Sequence, residues 1–169
     1  RANGDDRFEA GLGDDILYTG TGYDWVDGGA GIDWMVVGNF KDNGANFGYG
    51  LSLTTTTAAN TAATLYDGST YDQIKTALAS AVSFKLDMSF IGSVDYRGIE
   101  QVDLWGSAAK DLLVYQGGTQ YHGGAGIDTF YADWSSATEN IIWDNNPSAD
   151  PLKLANGVTV GGFERLREL

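Results

Sequence analysis

Bulky apolar residues recur at every ninth position in the opening stretch of the chain: Phe8, Leu17, Val26 and Met35. The segments between them are polar and rich in glycine. Aligned on that period, the blocks read RANGDDRFE, AGLGDDILY, TGTGYDWVD and GGAGIDWMV. Gly4, Gly13, Gly22 and Gly31 hold the fourth place, and Asp6, Asp15, Asp24 and Asp33 the sixth. Each block divides into a turn and a short strand. Glycine permits the positive φ angles of a tight turn. The last three residues alternate, so the eighth-place side chains point inward as rungs of a narrow core. Trp25 and Trp34 hold the seventh place and point outward.

Two blocks make one coil, and turns on the same side lie 18 residues apart. This pairs Asp6 with Asp24 on one side and Asp15 with Asp33 on the other. Such turns aim several backbone carbonyls into a small space, and the sixth-place carboxylate joins them. Carbonyl and carboxylate oxygens are the ligands a hard cation such as Ca²⁺ takes. The metal ligands expected from the period are therefore these four acids with Gly4, Gly13, Gly22 and Gly31. Further acids at Asp5, Asp14 and Asp27 add negative charge, which repels without a counter-ion.

Beyond Val37 the period is lost. Tyr49, Leu51 and Leu53 alternate as in a strand with one buried face, and the threonine run after them reads as an exposed strand edge or loop. STYDQIKTALASAV carries the helix, expected at about 69–82, with Ser69 or Thr70 as N-cap and Gln73 completing a capping box after Thr70. Ile74, Leu78 and Val82 make its apolar stripe, a docking face onto the repeats. Phe84, Leu86 and Met88 then alternate, as do Ile99, Val102 and Leu104. A second repeat tract follows: GSAAKDLLV, a shortened YQGGTQYH, and GGAGIDTFY. Asp111 and Asp128 are its sixth-place acids, 17 residues apart, joined as expected ligands by Gly126. Ala109 stands where Gly is expected, and Thr119 where Asp is. After Tyr131, Ile141 and Trp143 share a strand face that Pro147 and Pro151 break, and Asn156-Gly157 marks a tight turn. Gly162-Phe163-Glu164-Arg165-Leu166 echoes Gly98-Ile99-Glu100-Gln101-Val102 at a distance of 64 residues. The organisation expected is thus a repeat block over 1–37, an insert over 38–105, a second block over 106–131 and non-repeat coils over 132–169. The chain reads as a piece of a longer one.

GGAGIDWMV and GGAGIDTFY fit G-G-x-G-x-D-x-U-x, with U a large apolar residue, at every defined place. The blocks resemble the RTX repeats, the hemolysin-type calcium-binding repeats of bacterial exoproteins. The first three blocks depart at the leading glycine pair, where Arg1-Ala2, Ala10 and Thr19 stand. The resemblance implies an all-β fold, a right-handed parallel β-roll with Ca²⁺-binding turns, here interrupted by an insert with one short helix. It also implies export through a type I secretion channel and folding outside the cell, free in the medium or at the cell surface.

With 23 acidic against 10 basic residues, the 169-residue chain carries a net charge of −13. This disfavours nucleic acid and anionic membrane surfaces as partners and suits calcium ions. There is no cysteine, so metal is the staple available. No stretch is apolar enough to span a membrane. No HExxH, nucleophile elbow or phosphate-binding loop occurs, and the lone His122 reads as a strand residue. The expectation is a non-enzymatic calcium-binding module. The alternatives are a module that binds a polysaccharide or a cell-surface partner through its tryptophans, and the repeat part of an enzyme whose active site lies elsewhere.

Overall fold

The computed structural model describes residues 4–37, 50–88, 91–138 and 152–167. The described residues are mostly β with one helix. Each of the opening blocks ends in a strand: β1 (Arg7–Glu9), β2 (Ile16–Thr19), β3 (Gly22–Asp27) and β4 (Trp34–Val37). β3 lies parallel on β1 with Phe8 level with Val26, and β4 lies parallel on β2 with Leu17 level with Met35. The 18-residue coil period is therefore realised as strand register. Val26 and Met35 are wholly buried, and Phe8 and Leu17 pack against them as the half-buried end rungs. Full burial of one such side chain stabilises by about 1.5–3 kcal/mol.

The segment after Val37 leaves this pattern and then rejoins it. β5 (Ser52–Thr57), β6 (Ala62–Leu65), α1 (Tyr71–Ala79) and β7 (Ala81–Asp87) come first. β8 (Gly92–Arg97) then resumes as the parallel neighbour of β3, and β9 (Gln101–Trp105) as that of β4. β5, β6 and β7 add to the first sheet in antiparallel fashion, giving the order β1-β3-β8-β7-β5-β6. The remaining strands are β10 (Leu112–Val114), β11 (Gly117–His122), β12 (Thr129–Tyr131), β13 (Leu152–Lys153), β14 (Thr159–Gly161) and β15 (Arg165–Arg167). They form a parallel sheet β10-β12-β15 and extend the other sheet to β13-β14-β11-β9-β4-β2. Because antiparallel strands interrupt the parallel stacks, the sheets are mixed and the described coils do not close into a continuous solenoid.

Three local expectations change. The helix is shorter than 69–82: Thr70 caps it, with Gln73 completing the capping box, and Ser80 ends it. Its buried residues are Ile74 and Ala77, with Leu78 packed at the core margin. Val82 lies instead on β7 and is exposed, because the chain turns into a strand pairing with β5 directly after Ser80. The threonine run is an interior strand, not an edge: β5 sits between β7 and β6, with Thr55 buried and Thr54 Oγ1 2.9 Å from Thr64 Oγ1. Burial alternates as expected over Leu51 and Leu53 and over Leu86 and Met88; Val102 and Leu104 are buried too, but so is Asp103 between them. At Asn156-Gly157 the chain turns tightly, with Gly157 at φ +88° and β13 antiparallel to β14. Tyr49, Ile141, Trp143, Pro147 and Pro151 lie outside the described residues.

Candidate metal centre

The turns before the strands stack as the strands do. On one side the Asp6 N–H donates to Asp24 Oδ1 (3.1 Å). On the other the Asp15 N–H donates to Asp33 Oδ1 (2.9 Å). In the second tract the Asp111 N–H donates to Asp128 Oδ1 (2.9 Å). In each case one sixth-place acid binds the backbone of the acid one coil before it. Two fifth-place acids do the reverse, Asp5 accepting from the Tyr23 N–H and Asp14 from the Ile32 N–H.

One carboxylate oxygen of Asp24, Asp33 and Asp128 is thereby engaged, and the other decides what the site can do. Asp6, Asp24, Asp33 and Asp128 each leave a buried Oδ2 with no hydrogen-bond partner. Asp33 and Asp128 are fully buried. A buried carboxylate oxygen without a partner is costly, and four of them at equivalent places in a repeat call for a cation. Burial first, then repulsion from Asp6 and Asp5, raises the pKa of Asp24 against the pull of the Asp6 and Gly20 N–H groups. Burial, with the charges of Asp111, Glu164 and Asp67, pushes Asp128 up to about 8 despite the Asp111 N–H. Burial in the stacked turns thus penalises the charged carboxylates that a metal would neutralise.

The fourth-place glycines make the close stacking achievable. Gly31 and Gly126 adopt φ of +146° and +137°, and a Cβ on either would run into the carbonyl oxygen of the preceding coil, that of Gly13 or Ala109. Gly22 meets the Gly4 carbonyl in the same way. Stacked carbonyls and orphaned carboxylate oxygens together are an oxygen cage of the kind Ca²⁺ accepts. Among the described residues no three His, Cys, Asp or Glu side chains converge, so an ion here would draw on backbone carbonyls as well as carboxylates.

Asp111 differs. It is fully buried, but the N–H of Leu51 donates to Oδ1, the N–H of Ser107 donates to Oδ2, and the Ser107 hydroxyl lies 3.0 Å from both oxygens. The Ser107 Oγ also accepts from the Ala109 N–H. Asn60 is the one non-glycine with positive φ among the described residues, so Ala109 does not take up the geometry of Gly126. Burial still raises the Asp111 pKa, against these hydrogen bonds. The turn is closed by its own hydrogen bonds and by the Gly50-Leu51 segment, which packs on it so tightly that a Cβ on Gly50 would strike the Lys110 carbonyl. Thr119 lies in strand β11, and its N–H and that of Gln120 both donate to Asp103 Oδ1.

Two acids outside the expected set join the stacks. Glu100 Oε2 accepts from the Asp33 N–H (2.9 Å), and Glu164 Oε2 from the Asp128 N–H (2.7 Å). The 64-residue echo that contains both was the available signal. The order on one side is Asp15, Asp33, Glu100, and in the second tract Asp111, Asp128, Glu164. Above Asp24 stands Val94 instead.

The tryptophans separate by environment. Trp25 is covered by Arg7, whose guanidinium lies 3.9 Å from the ring centre, with Arg97 at 5.6 Å. Trp134 is buried against Phe130 and Tyr115. Trp34 and Trp105 face outward beside Tyr18, and Trp105 stacks on His122.

No curated protein matches the chain. Residues 2–35, the segment containing both pairs Asp6/Asp24 and Asp15/Asp33, match the RTX calcium-binding nonapeptide repeat in four copies. In sequence and in its stacked acidic turns, this segment is similar to the RTX calcium-binding nonapeptide repeats.

Proposed function

We propose that the chain is a non-catalytic, calcium-binding structural module of a secreted bacterial protein, a parallel β-roll whose turns close on Ca²⁺ outside the cell. The observation that carries this reading is the recurrence of one buried, partnerless Oδ2 at Asp6, Asp24, Asp33 and Asp128. Asp15 and the glycines Gly4, Gly13, Gly22, Gly31 and Gly126 complete the ligand-bearing turns. Asp111 has a structural duty instead, because hydrogen bonds already occupy both its oxygens. Where Ca²⁺ is scarce, the acids repel and the chain stays loose. At the roughly millimolar Ca²⁺ that extracellular modules are tuned to, binding to the folded state alone adds directly to folding free energy. Circular dichroism during a Ca²⁺ titration, with Mg²⁺ as control, tests this. Strand signal should grow with Ca²⁺ and not with Mg²⁺. A spectrum that is fully folded and unchanged in excess chelator would remove the reading.

A groove favours a second, compatible reading. Tyr18, Trp34 and Trp105, with Asp103 and Gln120, line a cleft of about 330 Å³ on the outer face of the second sheet. Aromatic faces beside an amide and a carboxylate suit a neutral glycan, through stacking and hydrogen bonds. Glycan-array binding that is lost in Trp34→Ala and kept in Trp25→Ala, whose ring the two arginines cover, would support it. No binding by the unmodified chain would dismiss it.

A further inference from the structure

Two turns in the molecule are cut short in the same way. Arg97 is level with Asp27 and Gln101 with Trp34. The six turn residues 28–33 are therefore matched in the next coil by only three, Gly98, Ile99 and Glu100. Gly161 is likewise level with His122, and Arg165 with Thr129. Residues 123–128 are then matched by Gly162, Phe163 and Glu164 alone. The bonding is the same at both places. The Asp33 carbonyl accepts from the N–H groups of Glu100 and Gln101, and the Asp128 carbonyl from those of Glu164 and Arg165. Each glutamate reaches back to the N–H of the aspartate beneath it. Its extra methylene spans distance that the missing turn residues leave.

The space under each short turn holds the oxygen that lacks a partner. A Cβ built on Gly28 would meet the Gly98 carbonyl and lie 2.7 Å from Asp33 Oδ2. One built on Gly123 would meet the Gly162 carbonyl and lie 2.9 Å from Asp128 Oδ2. Both aspartates are fully buried, and both Oδ2 atoms are without a hydrogen bond. A carbonyl of the short turn thus lies beside an orphaned aspartate oxygen, and a glutamate holds that same aspartate's N–H, twice.

We propose that Asp33 with Glu100, and Asp128 with Glu164, form two terminal divalent-cation sites of mixed Asp/Glu type that end their stacks of turns. The ion is Ca²⁺, since carbonyl and carboxylate oxygens in an irregular cage suit its flexible coordination better than the strict octahedron of Mg²⁺. The second site lies wholly outside the 2–35 repeat match. This inference rests on the calcium reading above.

The test is isothermal titration of the full chain with CaCl₂, alongside Glu100→Gln, Glu164→Gln and the charge-preserving Glu100→Asp and Glu164→Asp. Glutamine keeps an acceptor for the aspartate N–H and so keeps the turn. Each Gln and each Asp variant should lose one binding event, or bind it at least 10- to 100-fold more weakly, since even outer-shell changes at metal sites cost about that much. The remaining events should be unchanged. Loss with Gln but not with Asp would reduce the role to general charge and overturn direct ligation. Ca²⁺ binding by the unmodified chain with unaltered stoichiometry and affinity in all four variants would overturn this proposal while leaving the calcium reading intact. No binding by the unmodified chain would overturn both. Should a Gln variant fold poorly by circular dichroism, its Asp partner gives the decisive titration.

Discussion

Asp33 and Asp111 occupy the same place in their blocks and are equally buried, yet their surroundings resolve the same problem in opposite ways. Asp33 follows a glycine turn and keeps one oxygen without a partner. Asp111 follows a turn in which Ser107 and Ala109 replace two glycines, and its oxygens take hydrogen bonds from Ser107 and Leu51. On the proposed calcium reading, the first turn is one an ion would complete, whereas the second is closed by hydrogen bonds within the chain. On that reading, a sixth-place aspartate would not be a metal ligand by its position alone. What the neighbouring turn residues donate to it decides whether an ion has a role.

The largest effect that would expose this contrast comes from glycine. Gly31→Ala puts a side chain at φ +146° and against the Gly13 carbonyl. Such strain costs about 1–3 kcal/mol before the collision is counted. The Ca²⁺ concentration at the folding midpoint should rise sharply, as read by circular dichroism. Ala109→Gly, at the matching place in the other turn, should shift that midpoint little, by the roughly 0.5–1 kcal/mol of added chain entropy. Comparable shifts in the two variants would erase the distinction.

Next in size are the acids themselves. Asp33→Asn removes the charge that holds an ion and should weaken Ca²⁺ binding about 10- to 100-fold or more. Asp111→Asn turns an amide donor toward N–H groups that need an acceptor. It should destabilise by about 1–3 kcal/mol with the ion count unchanged. Calorimetric stoichiometry beside denaturant unfolding separates the two behaviours, and a lost ion in Asp111→Asn would refute the division of roles.

How much of this was written in the residues can be judged element by element. The nine-residue period placed Asp6 opposite Asp24, Asp15 opposite Asp33 and Asp111 opposite Asp128, and the backbone-to-carboxylate bonds join those pairs. Local spacing suffices there because stacked coils copy one another. Glu100 and Glu164 escaped the pattern because three-residue turns break the count that the period relies on. The contact of Leu51 with Asp111 spans 60 residues and has no local signature. Val82 shares the helical spacing only by chance, because that spacing continues past the Ser80 end of α1. The threonine run looked like an edge because its hydroxyls suggest solvent, whereas the flanking β6 and β7 cover it.

Acidity gives a smaller and graded effect. Burial raises the pKa values of Asp24, Asp111 and Asp128, the last to about 8. A carboxyl whose folded pKa lies above its unfolded value of about 4 favours the fold fully below that lower value, and the contribution fades as pH rises through the folded pKa. In chelator, the chain should therefore be most stable near pH 4 and lose stability toward pH 8. With Ca²⁺ present, protons compete for the ligands, so affinity should rise over the same range. Thermal unfolding at a series of pH values, with and without Ca²⁺, would show the two slopes with opposite sign. Parallel slopes would argue that the raised acids are not those the ion meets.

A modest effect belongs to Ser107→Ala. It strips the hydroxyl from the Asp111 carboxylate but leaves the Ser107 and Leu51 N–H donors in place. A loss of about 1–2 kcal/mol in denaturant unfolding is expected, with Ca²⁺ affinity unaltered. An increase in the number of bound ions would mean that the serine had been standing in for one.

Crystals of the chain grown in CaCl₂ and measured for anomalous scattering put the central claim to its most direct test. Peaks at roughly 2.3–2.6 Å from the Oδ2 atoms of Asp24, Asp33 and Asp128, and none at Asp111, are what the stacked turns require. Ordered turns with no anomalous peak beside those three oxygens would contradict it.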